Sequence, residues 1–119
     1  MILDQIVKKK KAELASDQSQ EPLAELKSKI VDLPPTRDFA AALTTSNGRN
    51  QGVISLIAEL KKKSPSKGII RQQFDLVEIT QAYANNGASA ISVLTDEHFF
   101  GGHLNNLQKV RTITRLPLL

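Results

Sequence analysis

Glu59 and Lys61 are the residues best placed for chemistry, in the stretch IAELKKKSPSKG at 57–68. They follow an apolar run, VISLIAEL at 53–60, whose β-branched content predicts a buried strand. Because residues two apart in a strand share a face, both side chains should project the same way at the strand's end. A protonated lysine held beside a carboxylate can meet an anionic substrate group. Alternatively, Glu59 is only the last strand residue and faces water.

The elements expected around this pair are a helical preface and then alternating strands and helices. Further strands are predicted at 88–95 and at 115–119, where RLPLL begins a third strand. Buried strands that alternate with helices imply a parallel sheet with right-handed crossovers. Two helices are predicted in the preface, at Leu3–Leu14 and Pro22–Leu33, followed by a short helix capped by Thr36 or Asp38. Two more are predicted between the strands, one that begins at Asp75 and one that contains Leu104, Leu107 and Val110.

This element order fits either a closed barrel or an open doubly wound sheet. The absence of a Gly-x-Gly-x-x-Gly motif after the strands counts against a dinucleotide fold. In a barrel, Glu59 and Lys61 would project inside at the carboxyl-terminal mouth, where active sites of that fold sit. The inward face would also hold Ile57, Ile91 and Val93, and the covering helices would meet Leu56, Ala58 and Leu60.

The second loop, TDEHFFGG at 95–102, places two aromatic residues between acidic residues and two glycines. Phe99 and Phe100 cannot both face a core from an extended loop, so one of them could line a pocket for a flat apolar ligand. The alternative is that both cap the helix that follows. His98 and His103 would need further ligands to bind a metal, and no metal site is predicted.

Composition narrows the class of partner. The net charge of +4 over 119 residues favours an anionic partner, whereas an aromatic content of 4% and the lack of nucleic-acid motifs argue against nucleic acid. A small phosphate ester is the simplest partner. No apolar run approaches the roughly 20 residues that cross a bilayer, no signal peptide is visible and cysteine is absent, so we expect a cytoplasmic protein without membrane contact.

Two blocks carry a resemblance to a known family. LIAELKKKSPSKGIIRQQFD at 56–75 and YANNGASAISVLTDEHFFGGHLNNLQKVR at 83–111 resemble indole-3-glycerol phosphate synthase, and the preface is similar to that family's helical extension. The Glu-x-Lys-x-x-Ser-Pro-Ser block is highly specific. Lys63 departs from the pattern, because many relatives have a small residue there.

The resemblance implies an α/β fold, a (β/α)₈ TIM barrel, and a carbon–carbon lyase of tryptophan biosynthesis. The reaction would be ring closure and decarboxylation of 1-(2-carboxyphenylamino)-1-deoxyribulose 5-phosphate, with no cofactor and no metal. Lys61 would contact the anionic groups and assist acid catalysis, and Glu59 would orient Lys61. Ser64 and Pro65 would shape a mobile first loop, and Phe100 would form part of the apolar wall around the aromatic ring.

A barrel of this kind needs about 250 residues, roughly twice this length. We therefore expect a helical extension at 1–50 and the first part of a barrel at 51–119, a β-α-β-α-β portion truncated in the third strand before the family's principal catalytic lysine. Such a fragment is expected to be inactive and to self-associate through open sheet edges. The alternative is a non-catalytic half-barrel that assembles with itself or with a complementing chain. A basic nucleic-acid-binding module is a third, weaker interpretation.

Overall fold

A computed structural model describes residues 1–44 and 54–119. These residues form two compact units, Met1–Pro35 and Thr36–Leu119. Two predictions fall outside the described residues: the domain boundary between residues 50 and 51, and the start of the first strand at Val53.

The first unit contains two helices, α1 (Ile2–Gln20) and α2 (Leu23–Ile30). Pro22 precedes α2 in an extended conformation and supplies its amino-terminal cap position, as its fixed φ angle favours. The side chain of Glu21, at the end of α1, accepts a hydrogen bond from Lys29 of α2, and this bond raises the pKa of Lys29 above its ordinary value. Neither helix buries a residue fully, and their apolar side chains are exposed except for Ile6, which is half-buried. Within the described ranges, no helix is long and apolar enough to cross a membrane.

The second unit is built on parallel strands, as the sequence predicts. Strand β1 (Ile57–Leu60) pairs with β4 (Ala90–Val93) in parallel, from Ile57 opposite Ala90 to Leu60 opposite Val93. The chain then returns to the other side of β4, where Leu118 forms a parallel bridge with Ile91. Both strands are shorter than the predicted 53–60 and 88–95.

Three helices accompany the sheet: α3 (Phe39–Leu43), α4 (Leu76–Asn85) and α5 (Asn105–Ile113). Asp38, and not Thr36, caps α3 by accepting a hydrogen bond from the Ala41 amide. The Asp75 carboxylate caps α4 by accepting hydrogen bonds from two amides of the first turn, at 2.9 and 3.0 Å. After α4, Gly87 adopts a φ of +92°, a left-handed conformation that favours glycine. Two short strands, β2 (Lys63–Ser64) and β3 (Gly68–Ile69), form a hairpin after β1.

The hydrophobic core lies on one face of the sheet, under α4 and α5. Its buried members are Leu60, Ile79, Ile91, Val93 and Val110. The prediction that Ile91 and Val93 share an inward face with Ile57 is wrong. Because residues paired in register lie on the same face, Ile91 lies beside Ala58 and Val93 beside Leu60, on the helix-covered side.

The opposite face of β1 carries Ile57, which is 40% exposed, and Glu59. The first strand is therefore buried on one face only within the described part of the chain. Leu56, predicted to meet the covering helices, is instead 55% exposed and lies just before the strand.

The two faces can be distinguished by matched substitutions. Ile91→Val removes one methylene from a side chain with 0% exposure and should lower the free energy of unfolding by about 0.5–1.5 kcal/mol. Ile57→Val removes the same group from a half-exposed side chain and should cost less than about 0.5 kcal/mol. Chemical denaturation measures both. Equal losses, or a larger loss at Ile57, would contradict this assignment of faces.

Candidate active site

Glu59 and Lys61 form an ion pair at the carboxyl end of β1. The Lys61 ammonium (Nζ) donates to Oε1 of Glu59 at 2.8 Å, and the two side chains are 34% and 43% exposed, respectively. The structure thus brings together the two residues that strand periodicity places on one side. A pair this exposed contributes at most about 1 kcal/mol to the stability of the fold. The pair matters here because it places the Lys61 ammonium at the carboxyl end of β1.

The end of β1 is held from two sides. On one side, the Leu94 amide donates to the Leu60 carbonyl at 3.3 Å, continuing the ladder with β4. On the other, the Tyr83 hydroxyl of α4 donates to the main-chain carbonyl of Glu59 at 3.2 Å. The sequence does not reveal this contact of Tyr83, because spacing does not identify the partner of a polar group at the tip of an aromatic side chain.

The segment after Lys61, where Ser64 and Pro65 are expected to shape a first loop, contains a short hairpin. Lys63 pairs with Ile69 and Ser64 with Gly68, and Gly68 adopts a φ of +66°. The Ser64 hydroxyl accepts a hydrogen bond from the Lys67 amide at 3.3 Å. Ser64 and Pro65 therefore lie in a loop that has its own main-chain pairing.

The second loop is wound tightly around Asp96. Its carboxylate accepts hydrogen bonds from the amides of Phe99 at 2.7 Å and Phe100 at 3.3 Å. A Cβ atom on Gly102 would lie 2.0 Å from the Leu94 carbonyl oxygen, so this close approach requires glycine. Gly101, with a φ of +63°, is the other glycine of the turn.

Both phenylalanines of this loop are half-buried. The Phe99 ring meets His98 edge-on, with ring centroids 4.7 Å apart. Of the described residues, the half-buried apolar side chains that pack against the core cluster are those of Phe74, Leu76, Tyr83, Leu107, Leu116 and Leu118, without Phe99 or Phe100. The loop therefore holds the Phe100 side chain outside that core.

Lys63 connects the two loops, a contact that the sequence does not reveal. Its ammonium donates to the His98 carbonyl at 3.0 Å. Its aliphatic stem lies along Gly101, where an added Cβ would come within 3.1 Å of the Lys63 Cε atom. Nothing in the spacing of the three lysines at 61–63 distinguishes Lys63 from Lys62.

Of the two histidines in the second loop, His103 has a polar contact at each ring nitrogen. Nε2 of His103 lies 3.3 Å from the Glu97 carboxylate, and Nδ1 accepts a hydrogen bond from the Asn105 amide at 3.0 Å. Across residues 1–44 and 54–119, no three His, Cys, Asp or Glu side chains are grouped so that they could hold a metal ion.

The charge around the first loop is strongly positive. Between residues 61 and 71 the sequence has five cationic side chains and no acidic one, namely Lys61, Lys62, Lys63, Lys67 and Arg71. A concentration of one sign of charge at the end of a strand raises the local concentration of anionic ligands.

Parallel strands with flanking helices, and a charged pair at the carboxyl end of the first strand, define an α/β protein of the class that builds active sites at strand ends. The family model for indole-3-glycerol phosphate synthase matches residues 3–119, and the chain belongs to that family. The fold of the family is a (β/α)₈ barrel, with which these parallel strands are consistent.

Curated relatives agree with the family match. The chain is 47% identical over 119 residues to indole-3-glycerol phosphate synthase of Desulforamulus reducens and 50% identical over 123 residues to that of Dehalococcoides mccartyi. It is 45% identical over 119 residues to the chloroplastic synthase of Arabidopsis thaliana. These alignments cover 99–100% of this chain but 43%, 45% and 29% of the respective relatives, so the chain spans less than half of their length.

Removing the Lys63 hydrogen bond should loosen the second loop. Lys63→Met keeps the stem against Gly101 and loses the bond to His98. Loss of one such bond, about 0.5–1.5 kcal/mol, should speed deuterium exchange of the Phe99 and Gly101 amides roughly threefold to tenfold.

The matched control is Lys62→Met, because the neighbouring Lys62 side chain is exposed. Exchange in this control should equal that of the unmodified chain. The role of Lys63 is contradicted if Lys63→Met leaves the exchange rates unchanged, or if both variants raise them equally.

Proposed function

We propose that this chain supplies the amino-terminal part of an indole-3-glycerol phosphate synthase, a carbon–carbon lyase of tryptophan biosynthesis. The reaction is ring closure and decarboxylation of 1-(2-carboxyphenylamino)-1-deoxyribulose 5-phosphate. The observation that carries the proposal is the Glu59–Lys61 ion pair at the carboxyl end of β1, in a chain of this family. The family match supplies the reaction, and the ion pair supplies the candidate residues.

In the proposed reaction a general acid activates the sugar carbonyl, and the carboxylate-bearing aryl carbon attacks it. Carbon dioxide then leaves, and loss of water completes the indole ring. Lys61 is proposed to contact the anionic groups of the substrate and to assist acid catalysis. Glu59 is proposed to hold the Lys61 ammonium in position through their 2.8 Å contact. The proposal assigns every step to side chains, with no cofactor or metal.

The two loops are proposed to form walls around the substrate. Ser64 and Pro65 shape the hairpin after β1, which lies within the cationic stretch at 61–71 and suits a phosphorylated ligand. Phe100 is proposed as part of the apolar wall around the aromatic ring, a role consistent with its position outside the core cluster.

We propose that these residues form only the first part of a complete barrel. Residues 1–50 would form the helical extension and 51–119 the first part of a barrel of about 250 residues. The resemblance places the principal catalytic lysine on the third strand, beyond these residues, and the general base on a later strand. We therefore propose that the isolated chain has no synthase activity.

The role of Lys61 can be tested in a chimera in which residues 1–119 replace the matching segment of the Dehalococcoides mccartyi synthase. Lys61→Ala should lower turnover about 10²–10⁴-fold, the usual cost of losing an acid–base group. Lys62→Ala is the control and should retain activity to within about threefold, because the exposed Lys62 charge would act on the substrate only through long-range attraction. Full activity of the Lys61 variant would exclude that role.

A second candidate function is a non-catalytic part-barrel that assembles with itself. Among the described residues, β1 pairs with no strand other than β4, so its other edge lacks a strand partner beyond the contact of Tyr83 with the Glu59 carbonyl. Apolar side chains beside that edge are exposed: Ile54 at 91%, Leu56 at 55% and Ile57 at 40%. Exposed apolar strand edges recruit other chains.

Sedimentation of the isolated chain tests this second candidate. We expect dimers or larger species, or a loosely folded chain. Leu56→Lys should shift the distribution toward monomers, because a lysine at a strand edge disfavours pairing. A compact monomer with a sharp unfolding transition at all concentrations would rule out association.

A further inference from the structure

The Arg37 guanidinium holds three main-chain carbonyls at once. Its Nη1 donates to the Thr114 carbonyl at 2.7 Å and to the Leu116 carbonyl at 2.8 Å, and its Nη2 donates to the Arg111 carbonyl at 3.1 Å. All three acceptors are more than 70 residues away in the sequence. The contact therefore joins the segment before α3 to the chain between α5 and the third strand.

These carbonyls need a donor. Arg111 lies in the last turn of α5 and Thr114 is its carboxyl-terminal cap residue, where helix carbonyls have no partner within the helix. The negative end of the helix dipole also favours a cation there. A planar guanidinium has several N–H groups in a fixed fork and can serve several acceptors together.

Charge pairing does not explain the position of Arg37. Its described partners are carbonyl oxygens, without a carboxylate among them. Burial, followed by the positive charges of Arg111 and Arg115, lowers its pKa from the ordinary value. The guanidinium is thus kept near two like charges, an arrangement that the three hydrogen bonds must offset.

The other end of the same segment is attached near the first strand. The Ser55 hydroxyl donates to the Leu43 carbonyl at 3.0 Å, and Leu43 is the last residue of α3. Ser55 lies just before β1, and Leu116 lies just before the bridge between Leu118 and β4. Residues 37–43, the strap, therefore connect the amino ends of the first and third strands, and α3 contacts β4 between them.

We propose that the strap is a conformational device that closes the amino-terminal edge of the sheet, and that Arg37 is the latch that docks the third strand. When the latch is in place, the connection at 114–116 is fixed and the chain pairs with β4. When it is absent, the third strand separates from β4 while β1 and β4 stay paired. This device lies at the strand end opposite to Glu59 and Lys61, and it does not depend on the proposed reaction.

Amide exchange in the chimeric synthase that carries residues 1–119 tests the proposal, because each side of β4 has its own reporters. The Ile91 and Val93 amides of β4 donate to the third-strand carbonyls of Pro117 and Leu119 at 3.0 and 2.9 Å, and the Leu119 amide donates to the Ile91 carbonyl at 3.0 Å. The Ser89 and Leu94 amides bond to the carbonyls of Leu56 and Leu60, on the β1 side. Arg37→Ala should speed exchange of the first set about tenfold or more and change the second set less than about threefold.

Arg37→Lys keeps the charge but replaces the fork by an ammonium, and it should loosen the same three amides. Arg115→Ala is the control: Arg115 contributes repulsion to Arg37, and its side chain has no hydrogen bond with the described residues, so exchange should stay the same or slow.

Three results would overturn the proposal. One is equal acceleration on both sides of β4, which would mean general destabilisation. Another is unchanged exchange in Arg37→Lys, which would make charge alone sufficient. The third is loss of the whole fold in Arg37→Lys, which would make Arg37 a requirement of the entire sheet and not a latch for one strand.

Discussion

The parallel register between β1 and β4 is the constraint on which the rest of the structure depends. It aligns Leu60 with Val93 and Ala58 with Ile91, so the apolar residues of both strands pack on one face under α4 and α5. Since side chains alternate along a strand, the same register places Glu59 on the other face. A shift of one residue would bury Glu59 and expose Leu60, at a large cost in desolvation and lost apolar burial. Core packing therefore positions the candidate catalytic pair.

Local signals were sufficient to predict the helices, the parallel strands and the charged pair. The cap at Asp75, the turn at Gly87 and the apolar runs at both strands identify β-α-β, and the two-residue spacing brings Glu59 to Lys61. The face of Ile91 was not predictable in the same way. The face on which Ile91 lies depends on how two strands about 30 residues apart are paired. The local sequence of either strand does not determine this register.

Contacts made by long polar side chains were also missed. Lys63 and Arg37 reach main-chain carbonyls that are 35 and more than 70 residues away. A carbonyl is present at every position and carries no sequence signal, so composition and spacing cannot identify such partners. Lys63 was noticed only as a departure from the family pattern. The hairpin after β1 was likewise not expected, because Ser-Pro-Ser favours turns in general.

The two ends of the strands have different proposed roles. The carboxyl end has charge and loops, whereas the amino end is fastened by the strap, in agreement with the usual division in barrel proteins. A crystal structure of the chimeric synthase with an unreactive substrate analogue tests the central claim most directly. The account predicts the Lys61 ammonium within about 3.2 Å of an anionic group of the ligand, while Glu59 still contacts Lys61. A ligand bound elsewhere, or a Lys61 ammonium more than about 5 Å from every ligand oxygen, would contradict it.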